Sequence, residues 1–223
     1  MKILIINPNS DRDMTASIQK TANSFGGKEC KIKCVLTEGA PLFIENYEDI
    51  ARTAEGMIKI IRENENIYDA FIVACHCDPN LDALKEISYK PVVGIGEASM
   101  KIATMLGHKF SVLSTTAHSV PIKEELVRKY HLQDQLASVR APSSEDDDRD
   151  EEEKYFHTAR EAVEKDGAEV IVVGCAGLVG LDKILMKRLN IPVLDGIICA
   201  LIIACGLVRY GVASSKIMRY NLI

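Results

Sequence analysis

The sequence predicts an α/β protein made of two similar lobes, each with a parallel sheet flanked by helices. Short runs rich in β-branched residues alternate with stretches of helical periodicity, which is typical of βαβ units. The strand runs are continuously apolar, as in sheets that helices cover on both faces. In addition, the motifs of the first half of the chain recur in the second half in the same order.

The predicted elements alternate from one end of the chain to the other. The apolar runs predict strands at Lys2–Ile6, Lys31–Leu36, Ala70–Ala74, Pro91–Ile95, Phe110–Leu113, Leu136–Arg140, Glu169–Val173 and Pro192–Leu194. The helical periodicity predicts helices at Asp13–Phe25, Tyr47–Glu63, Leu81–Ile87, Ala98–Leu106, Val120–Lys129, Asp150–Lys165, Leu178–Leu189 and Gly196–Tyr210. Ser10 or Asp13 can cap the first helix. The acidic stretch Ser143–Glu153 predicts a solvated loop that enters the first turn of a helix.

The repeated motifs lie about 100 residues apart. Asp69–Cys75 aligns with Glu169–Cys175. The same alignment pairs Leu81-Asp82 with Leu181-Asp182, Lys90–Gly94 with Ile191–Asp195, and Lys2–Asn7 with Lys109–Ser114. Ordered matches at nearly one offset predict an internal duplication. We therefore expect an N-terminal lobe of residues 1–97 completed by residues 200–223, and a second lobe of residues 98–199.

Composition and charge narrow the class of protein. The chain has 223 residues, of which 47% are hydrophobic and 26% charged, as in an ordinary globular protein. A net charge of −5 argues against nucleic acid as a partner. No secretion signal is visible, and Gly196–Val208 is too short to span a bilayer, so we expect no membrane association. Seven cysteines at irregular spacing indicate a reducing cytoplasm rather than a disulfide framework.

Small or polar segments follow the strands at the edge where parallel sheets bind ligands. These segments are Asn7–Ser10, Cys75–Asn80, Ser114–Thr116 and Cys175–Gly177. Cys75 and Cys175 occupy equivalent positions between a strand and a helix, where backbone N–H groups at a helix N-terminus favour the thiolate. Two such groups facing one cleft could work on opposite faces of one carbon, one thiolate taking a proton and the other thiol returning one. We therefore predict that Cys75 and Cys175 are catalytic.

The remaining cysteines have no such argument, and core packing is the default interpretation of Cys30, Cys34, Cys199 and Cys205. The repeat selects Cys75 over Cys77. A metal cluster at Cys75–Asp78 is disfavoured because adjacent ligands lack the loop geometry of a structural zinc site, so no metal is predicted. Since no dinucleotide fingerprint, P-loop or nucleophile elbow is present, we expect an enzyme without a cofactor.

These motifs together resemble the Asp/Glu/hydantoin racemase family, and within it the branch of hydantoin and allantoin racemases. The matching stretches run in order over almost the whole chain. They are Ile5–Ser10 with Met14-Thr15, Ala74-Cys75, Asp78-Pro79, Leu81–Ala83, Pro91–Ile95, Glu97-Ala98, Phe110–Thr116, Asp166–Glu169, Gly174–Leu178 and Pro192–Gly196.

The resemblance implies two Rossmann-like lobes with the active site in the cleft between them, no cofactor, and a two-base mechanism in which Cys75 and Cys175 are the bases. It also implies donors that hold the ring carbonyls of a small-molecule substrate and stabilise its enolate. These would be Asn9, Thr115 and Thr116, with backbone N–H groups near His76, Ala176 and Gly177. Members of the family are commonly oligomeric, which suits the apolar C-terminal helix, so we expect a homo-oligomer.

The chain departs from the family pattern after its first catalytic cysteine. His76-Cys77 stand where an aromatic and a small residue are expected, and Asn80 stands where glycine is usual. These residues predict a more polar pocket for the side chain of the substrate, and they argue against a bulky apolar hydantoin.

The favoured function is racemisation of a 5-substituted hydantoin such as allantoin. The alternatives are a racemase of free amino acids of the Asp or Glu type, a related isomerase or decarboxylase, and a small-molecule binding domain without catalysis. A decarboxylase would need only one of the two cysteines, so the presence of both favours a racemase.

Overall fold

The computed structural model describes residues 1–26, 30–143 and 149–221. In order, the elements in this part of the chain are β1 (Lys2–Asn7), α1 (Arg12–Gly26), β2 (Lys31–Leu36), α2 (Tyr47–Arg52), α3 (Ala54–Asn64), β3 (Ala70–Val73), α4 (Leu81–Ile87), β4 (Val92–Gly94), α5 (Ile95–Leu106), β5 (Phe110–Leu113), a 3₁₀ turn (Ala117–Ser119), α6 (Val120–Lys129), β6 (Leu136–Arg140), α7 (Glu151–Asp166), β7 (Val170–Val173), α8 (Leu181–Leu189), β8 (Val193–Asp195) and α9 (Gly196–Tyr210). The chain separates into two compact units, Met1–Ile95 with Ile197–Ile223, and Gly96–Gly196.

The first unit is built on a parallel sheet with the strand order β2-β1-β3-β4. Its central strand β1 is apolar from Ile3 to Ile6 and fully buried there, because helices cover both faces of the sheet. A core on one face joins Leu4 and Ile6 to Met57, Ile61 and Phe71. The helix α3 therefore packs on this sheet through one apolar side.

The second unit repeats this plan with the parallel order β6-β5-β7-β8. Its strand β7 is buried along its whole length. One core contains Ile171, Val173 and Tyr155, and another contains Val170, Val172 and Phe110. Alternate residues of β7 thus face opposite cores, which explains why the strand reads as an unbroken apolar run.

The two units have the same strand order, and each contains backbone hydrogen bonds at positions equivalent to those of the other. In both, the central strand pairs in parallel with the strand that precedes a catalytic candidate. Asp69 N donates to Lys2 O (2.8 Å), as Glu169 N does to Lys109 O (2.9 Å). Phe71 N donates to Pro91 O (2.9 Å), as Ile171 N does to Pro192 O (3.0 Å). Ala74 N donates to Ile6 O, as Gly174 N does to Leu113 O (both 2.8 Å). The predicted fold class, two similar lobes with parallel sheets, is confirmed.

The helix expected at Tyr47–Glu63 is interrupted at Thr53. Both the backbone N–H (3.3 Å) and the hydroxyl (2.8 Å) of Thr53 donate to the carbonyl of Ile50. The Asn80 amide also donates to this carbonyl (3.1 Å) and to the Thr53 hydroxyl oxygen (2.9 Å). Because these donors occupy the oxygen, α2 ends at Arg52 and α3 begins at Ala54.

The helix expected at Leu178–Leu189 begins later, at Leu181. The residues before it form a turn in which Leu178 N donates to Cys175 O (3.4 Å). Gly180 then adopts a left-handed backbone conformation with φ of 81°, which favours glycine. The catalytic candidate Cys175 is therefore separated from the helix by a structured loop.

Two further details concern helix N-termini. Asp11 caps α1, accepting from the backbone N–H groups of Asp13 (2.8 Å) and Met14 (3.0 Å), so the expected caps Ser10 and Asp13 are wrong. Residues 144–148 of the acidic stretch lie outside the described residues. Beyond them, Asp150 caps α7, and the first turn of that helix is acidic as predicted.

The described helices include none that is long and apolar enough to cross a membrane. The most apolar helix, α9, has 15 residues, and Ala200, Leu201 and Ala204 on it are fully buried. The prediction of a buried helix at Gly196–Val208 is therefore right for the side of α9 that carries these residues.

Candidate active site

Cys75 lies in the loop between β3 and α4, two residues after the end of a fully buried strand. Ala74 N–H donates to Ile6 O (2.8 Å), which fixes the start of this loop on the central strand β1. The Cys75 carbonyl then accepts from Asp78 N (3.0 Å) and closes a tight turn. The thiol is therefore held half-buried at the carboxyl edge of the sheet, as expected.

Cys175 occupies the same place in the second unit. Gly174 N–H donates to Leu113 O (2.8 Å), and the Cys175 carbonyl accepts from Leu178 N (3.4 Å). Each cysteine thus lies six residues before a helix begins, at Leu81 and at Leu181. Neither is the first residue of its helix, so the helix N-terminus assumed from the sequence is replaced by a turn that contacts the sulfur.

The second residue after each cysteine provides that contact, but with a different group in each unit. In the second unit the backbone N–H of Gly177 donates to Cys175 Sγ (3.3 Å). In the first unit the Sγ atoms of Cys75 and Cys77 are 3.3 Å apart. A backbone N–H directed at a sulfur favours the thiolate over the thiol. Cys77, over which the repeat selected Cys75, is in direct contact with that catalytic candidate.

Lys123 is a residue near Cys175 that the sequence analysis missed. It lies on α6, is only 6% exposed, and its ammonium donates to the carbonyl of Gly174 (2.8 Å), the residue before Cys175. A buried lysine needs such a partner because its charge has lost water. The ammonium also adds positive charge close to Cys175. A lysine on a predicted helix is usually exposed, so the sequence carried no signal for this role.

Tyr155 is a second missed residue near Cys175. It is buried on α7, and its pKa is raised above the ordinary value of 10.0, first by burial and then by the neighbouring Cys175 and Glu151. The phenol therefore stays protonated. Tyr155, Gly177 and Leu178 line a cavity of about 220 Å³ beside the Cys175 turn. The charge of Cys175 therefore acts on the phenol of Tyr155.

The loop after β1 holds Asn9 in a network of its own. Asn9 is 5% exposed, and its side-chain oxygen accepts from Asn7 Nδ2 (2.6 Å) and Asp11 N (3.0 Å). Its amide nitrogen lies 3.3 Å from Met14 Sδ. The oxygen is therefore engaged within the loop, and the amide N–H₂ group is the part of Asn9 that suits a carbonyl ligand.

Thr115 and Thr116 follow the end of β5, and both are exposed. The Thr116 hydroxyl oxygen accepts from Ser119 N (3.3 Å) and caps the 3₁₀ turn. Behind them, Ser114 is fully buried and its hydroxyl is 2.5 Å from that of Ser119. Of the two predicted donors, Thr116 thus also has a structural task, while Thr115 lies at the surface of the same loop.

Residues between Cys75 and α4 hold the Cys75 loop in place. His76 is 1% exposed and Asp78 is 2% exposed. The Asp78 carboxylate lies against Gly94, where a Cβ would come within 2.3 Å of Oδ1. Asn80 has a left-handed backbone (φ 57°), as Gly180 has at the equivalent position (φ 81°), and its amide binds the break between α2 and α3. Asp78 and Asn80 therefore tie the loop to two neighbouring elements.

Each unit brings together its own share of the predicted residues. In the first unit, Asn9 follows β1 while Cys75 and His76 follow its neighbour β3. In the second unit, the adjacent strands β5 and β7 are followed by Thr115 and Thr116, and by Cys175, Ala176 and Gly177. A larger cavity of about 540 Å³ in the first unit, between β2 and α3, is lined by none of these residues.

The other cysteines lie in different surroundings. Burial raises the pKa of Cys34 to about 12. Burial, and then the neighbouring Cys205, raise the pKa of Cys30 to about 11. Both are therefore protonated near neutral pH and poorly reactive. Within residues 1–26, 30–143 and 149–221, His, Cys, Asp and Glu side chains form no group of three or more that could hold a metal ion.

Comparison with known proteins identifies the family. A family model described as Asp/Glu/Hydantoin racemase matches residues 3–204. A hydantoin racemase of Pseudomonas sp. (strain NS671) is 36% identical over 227 residues, which is 99% of this chain and 91% of that protein.

Two solved structures are similar over the whole chain. An allantoin racemase of Pseudomonas fluorescens has a TM-score of 0.94 at 31% identity, covering 100% of this chain and 97% of that one. An allantoin racemase of Klebsiella pneumoniae has a TM-score of 0.93 at 30% identity, covering 100% of this chain and 94% of that one. These findings confirm the resemblance drawn from the motifs, and the chain is therefore an isomerase of the Asp/Glu/hydantoin racemase family.

Proposed function

We propose that the protein interconverts the enantiomers of a 5-substituted hydantoin, with allantoin as the first compound to test. The observation that carries this proposal is the equivalence of Cys75 and Cys175. Each cysteine follows a buried strand next to the central strand of its unit, and its carbonyl closes the same turn. In both loops, the second residue after the cysteine contacts the cysteine sulfur. The named relatives act on hydantoin-type rings, which suits such a pair.

The chemistry of the ring explains why two thiols suffice. The hydrogen on carbon 5 is next to a ring carbonyl, so its removal gives an enolate rather than a bare carbanion. In the proposed reaction, one cysteine removes this proton as a thiolate and the other, as a thiol, protonates the opposite face. The C–H bond on one face breaks, a C–H bond on the other forms, and the two cysteines exchange protonation states. Reaction of the opposite enantiomer then returns them.

The remaining predicted residues would bind the ring and stabilise the enolate. The amide of Asn9, the hydroxyls of Thr115 and Thr116, and the backbone N–H groups near His76, Ala176 and Gly177 are hydrogen-bond donors suited to carbonyl oxygens. Donors that strengthen their bonds as negative charge develops lower the barrier to proton removal. Lys123 and Tyr155 would act behind Cys175, through positive charge and a protonated phenol.

The polar residues after Cys75 support allantoin over an apolar hydantoin. Where the family pattern has an aromatic and a small residue, this chain has His76 and Cys77. The substituent of allantoin is a ureido group, with several hydrogen-bond donors and acceptors, and it suits a polar environment better than an alkyl or aryl substituent does.

The test is a panel of single enantiomers in deuterated water. S-allantoin and R-allantoin, 5-alkyl and 5-aryl hydantoins, L-aspartate and L-glutamate are each incubated with the protein, and optical rotation and loss of the α-proton signal are followed. With allantoin, we expect the optical rotation to fall to zero and deuterium to be incorporated. With the apolar hydantoins, we expect both changes to be much slower. Racemisation of aspartate or glutamate without any change in the hydantoins would contradict the proposal.

A further inference from the structure

The Cys75 loop carries a second thiol in a place where the duplicated loop carries none. Cys75 and Cys77 have their sulfurs 3.3 Å apart, and both side chains are half-buried. At the corresponding position in the second unit stands Gly177, which reaches Cys175 through its backbone. The two loops therefore offer the same turn with different chemistry beside the proposed base.

We propose that Cys75 and Cys77 form an oxidisable dithiol, a modification site for hydroperoxides that converts Cys75 reversibly into a disulfide. The distance between the two sulfurs must close by little more than 1 Å to reach the S–S bond length of about 2.05 Å. Both residues lie in one short turn, so no domain or helix has to move for the bond to form.

The oxidation balances with hydrogen peroxide as the oxidant. The Cys75 thiolate attacks one peroxide oxygen, so that an S–O bond forms, the O–O bond breaks and hydroxide leaves as water after taking a proton. The Cys77 thiolate then attacks the sulfenic sulfur, so that the S–S bond forms, the S–O bond breaks and a second water leaves. The two sulfurs lose two electrons, which reduce one peroxide to two waters. A small dithiol returns the two electrons and restores both thiols.

The second thiol matters because a sulfenic acid without a neighbour oxidises further. Sulfinic acid is not reduced by ordinary dithiols, whereas a disulfide is. Cys77 therefore protects Cys75 from irreversible loss. If Cys75 is a catalytic base, as the proposed function requires, the disulfide also switches the racemase off until it is reduced.

The experiment measures the bond and the activity separately. The reduced protein is treated with increasing concentrations of hydrogen peroxide, and the remaining thiols are blocked with iodoacetamide. The mass of the tryptic peptide of residues 63–85 is then measured by mass spectrometry. This peptide contains Cys75 and Cys77 and no other cysteine. We expect a peptide two hydrogens lighter and unalkylated, racemase activity falling in proportion to its abundance, and recovery of both on adding dithiothreitol.

The matched variant is Cys77→Gly, which reproduces the residue of the second loop, with Cys77→Ser as a control for side-chain volume. Each variant is compared with its own activity before oxidation. In both, the same peroxide should leave Cys75 as sulfinic acid, and dithiothreitol should not restore activity. Two alkylated thiols in the wild-type peptide at a dose that removes activity would overturn the dithiol. A disulfide that forms while racemase activity persists would uphold the modification site and instead contradict the catalytic role of Cys75.

Discussion

Lys123 places an ammonium group on the carbonyl oxygen of Gly174, one residue before Cys175. Three residues near Cys175 have a physical role: the Gly177 N–H contacts its sulfur, the Tyr155 phenol responds to its charge, and Lys123 binds the carbonyl of the adjacent residue. A backbone N–H and a positive charge both favour a negatively charged sulfur. A positively charged neighbour is a common way to make a cysteine reactive near neutral pH.

Replacing Lys123 by Met should therefore reduce activity most at low pH. Met keeps much of the side-chain volume but removes the charge, so less Cys175 is present as thiolate. We expect a loss of roughly tenfold near neutral pH, partly recovered as the pH is raised, corresponding to about one pH unit in the activity profile. Lys129→Met, at an exposed position of the same helix, is the control. A folded Lys123→Met enzyme with an unchanged pH profile would contradict this role.

At the scale of elements, the loop between β3 and α4 depends on Asn80. Asn80 has a left-handed backbone conformation, which glycine adopts at no cost. The side-chain amide of Asn80 makes hydrogen bonds to Ile50 O and the Thr53 hydroxyl. The side chain thus outweighs the backbone preference. This explains why an asparagine can stand where the equivalent position of the repeat has Gly180.

Replacing Asn80 by Gly should lower the free energy of unfolding by about 1 kcal/mol, since two hydrogen bonds are lost and some backbone strain is relieved. Denaturant unfolding measures the change. Asn190→Gly is the control, because Asn190 is exposed, left-handed (φ 55°) and caps α8. There we expect no loss or a small gain in stability. Equal losses in the two variants would show that the amide contacts of Asn80 contribute nothing.

The C-terminal segment after α9 contacts α4. No pattern in the sequence predicted this contact. Lys216 donates to the carbonyls of Lys85 (2.6 Å) and Glu86 (2.7 Å), near the end of α4. Arg219 and Tyr220 bind Asp82 in the first turn of the same helix. Burial lowers the pKa of Lys216 from its ordinary value of 10.5. The segment therefore holds both ends of the helix that follows the Cys75 loop.

The change Lys216→Met should loosen α4 selectively. Removing the ammonium leaves the last carbonyls of this helix without that donor, at a cost of about 1–2 kcal/mol. Amide hydrogen exchange should therefore become faster in α4, while α8, the equivalent helix of the second unit, keeps its rate. Identical exchange in α4 of the variant and the wild type would show that Lys216 does not stabilise this helix.

The strands were the elements best predicted from the sequence. Lys31–Leu36, Phe110–Leu113 and Leu136–Arg140 have the predicted bounds. The inner strands Ala70–Val73 and Val170–Val173 are buried throughout and form unbroken apolar runs, because both faces of the sheet are covered. The break at Thr53 and the late start of α8 could not be foreseen. They depend on an amide from a distant loop and on a turn whose residues also suit a helix.

The site could be predicted only where the repeat marked it. Cys75 and Cys175 stood out because the duplicated motifs align them, whereas Lys123, Tyr155 and Cys77 act through contacts made on folding. A lysine and a tyrosine on amphipathic helices look like surface and core residues, respectively. No spacing rule identifies which of them lies near a cysteine after folding.

At the scale of the whole molecule, two units with one plan each supply half of the proposed chemistry. Strand order, register and the turn after the third strand are shared, while the residues around the two sulfurs differ. In the proposed two-base mechanism, each base serves one face of the substrate carbon, and each reaction direction begins at a different cysteine.

The most direct test follows proton exchange by the single variants Cys75→Ser and Cys175→Ser, with each enantiomer of allantoin in deuterated water. A serine hydroxyl is far too weak an acid to replace a thiol near neutral pH. Each variant should therefore lose racemisation almost completely, and the double variant should be scarcely worse. The remaining cysteine should still exchange the proton of the enantiomer that it faces, so the two variants should exchange opposite enantiomers. Racemisation at the wild-type rate by either variant, or equal exchange of both enantiomers by one of them, would contradict the two-cysteine mechanism.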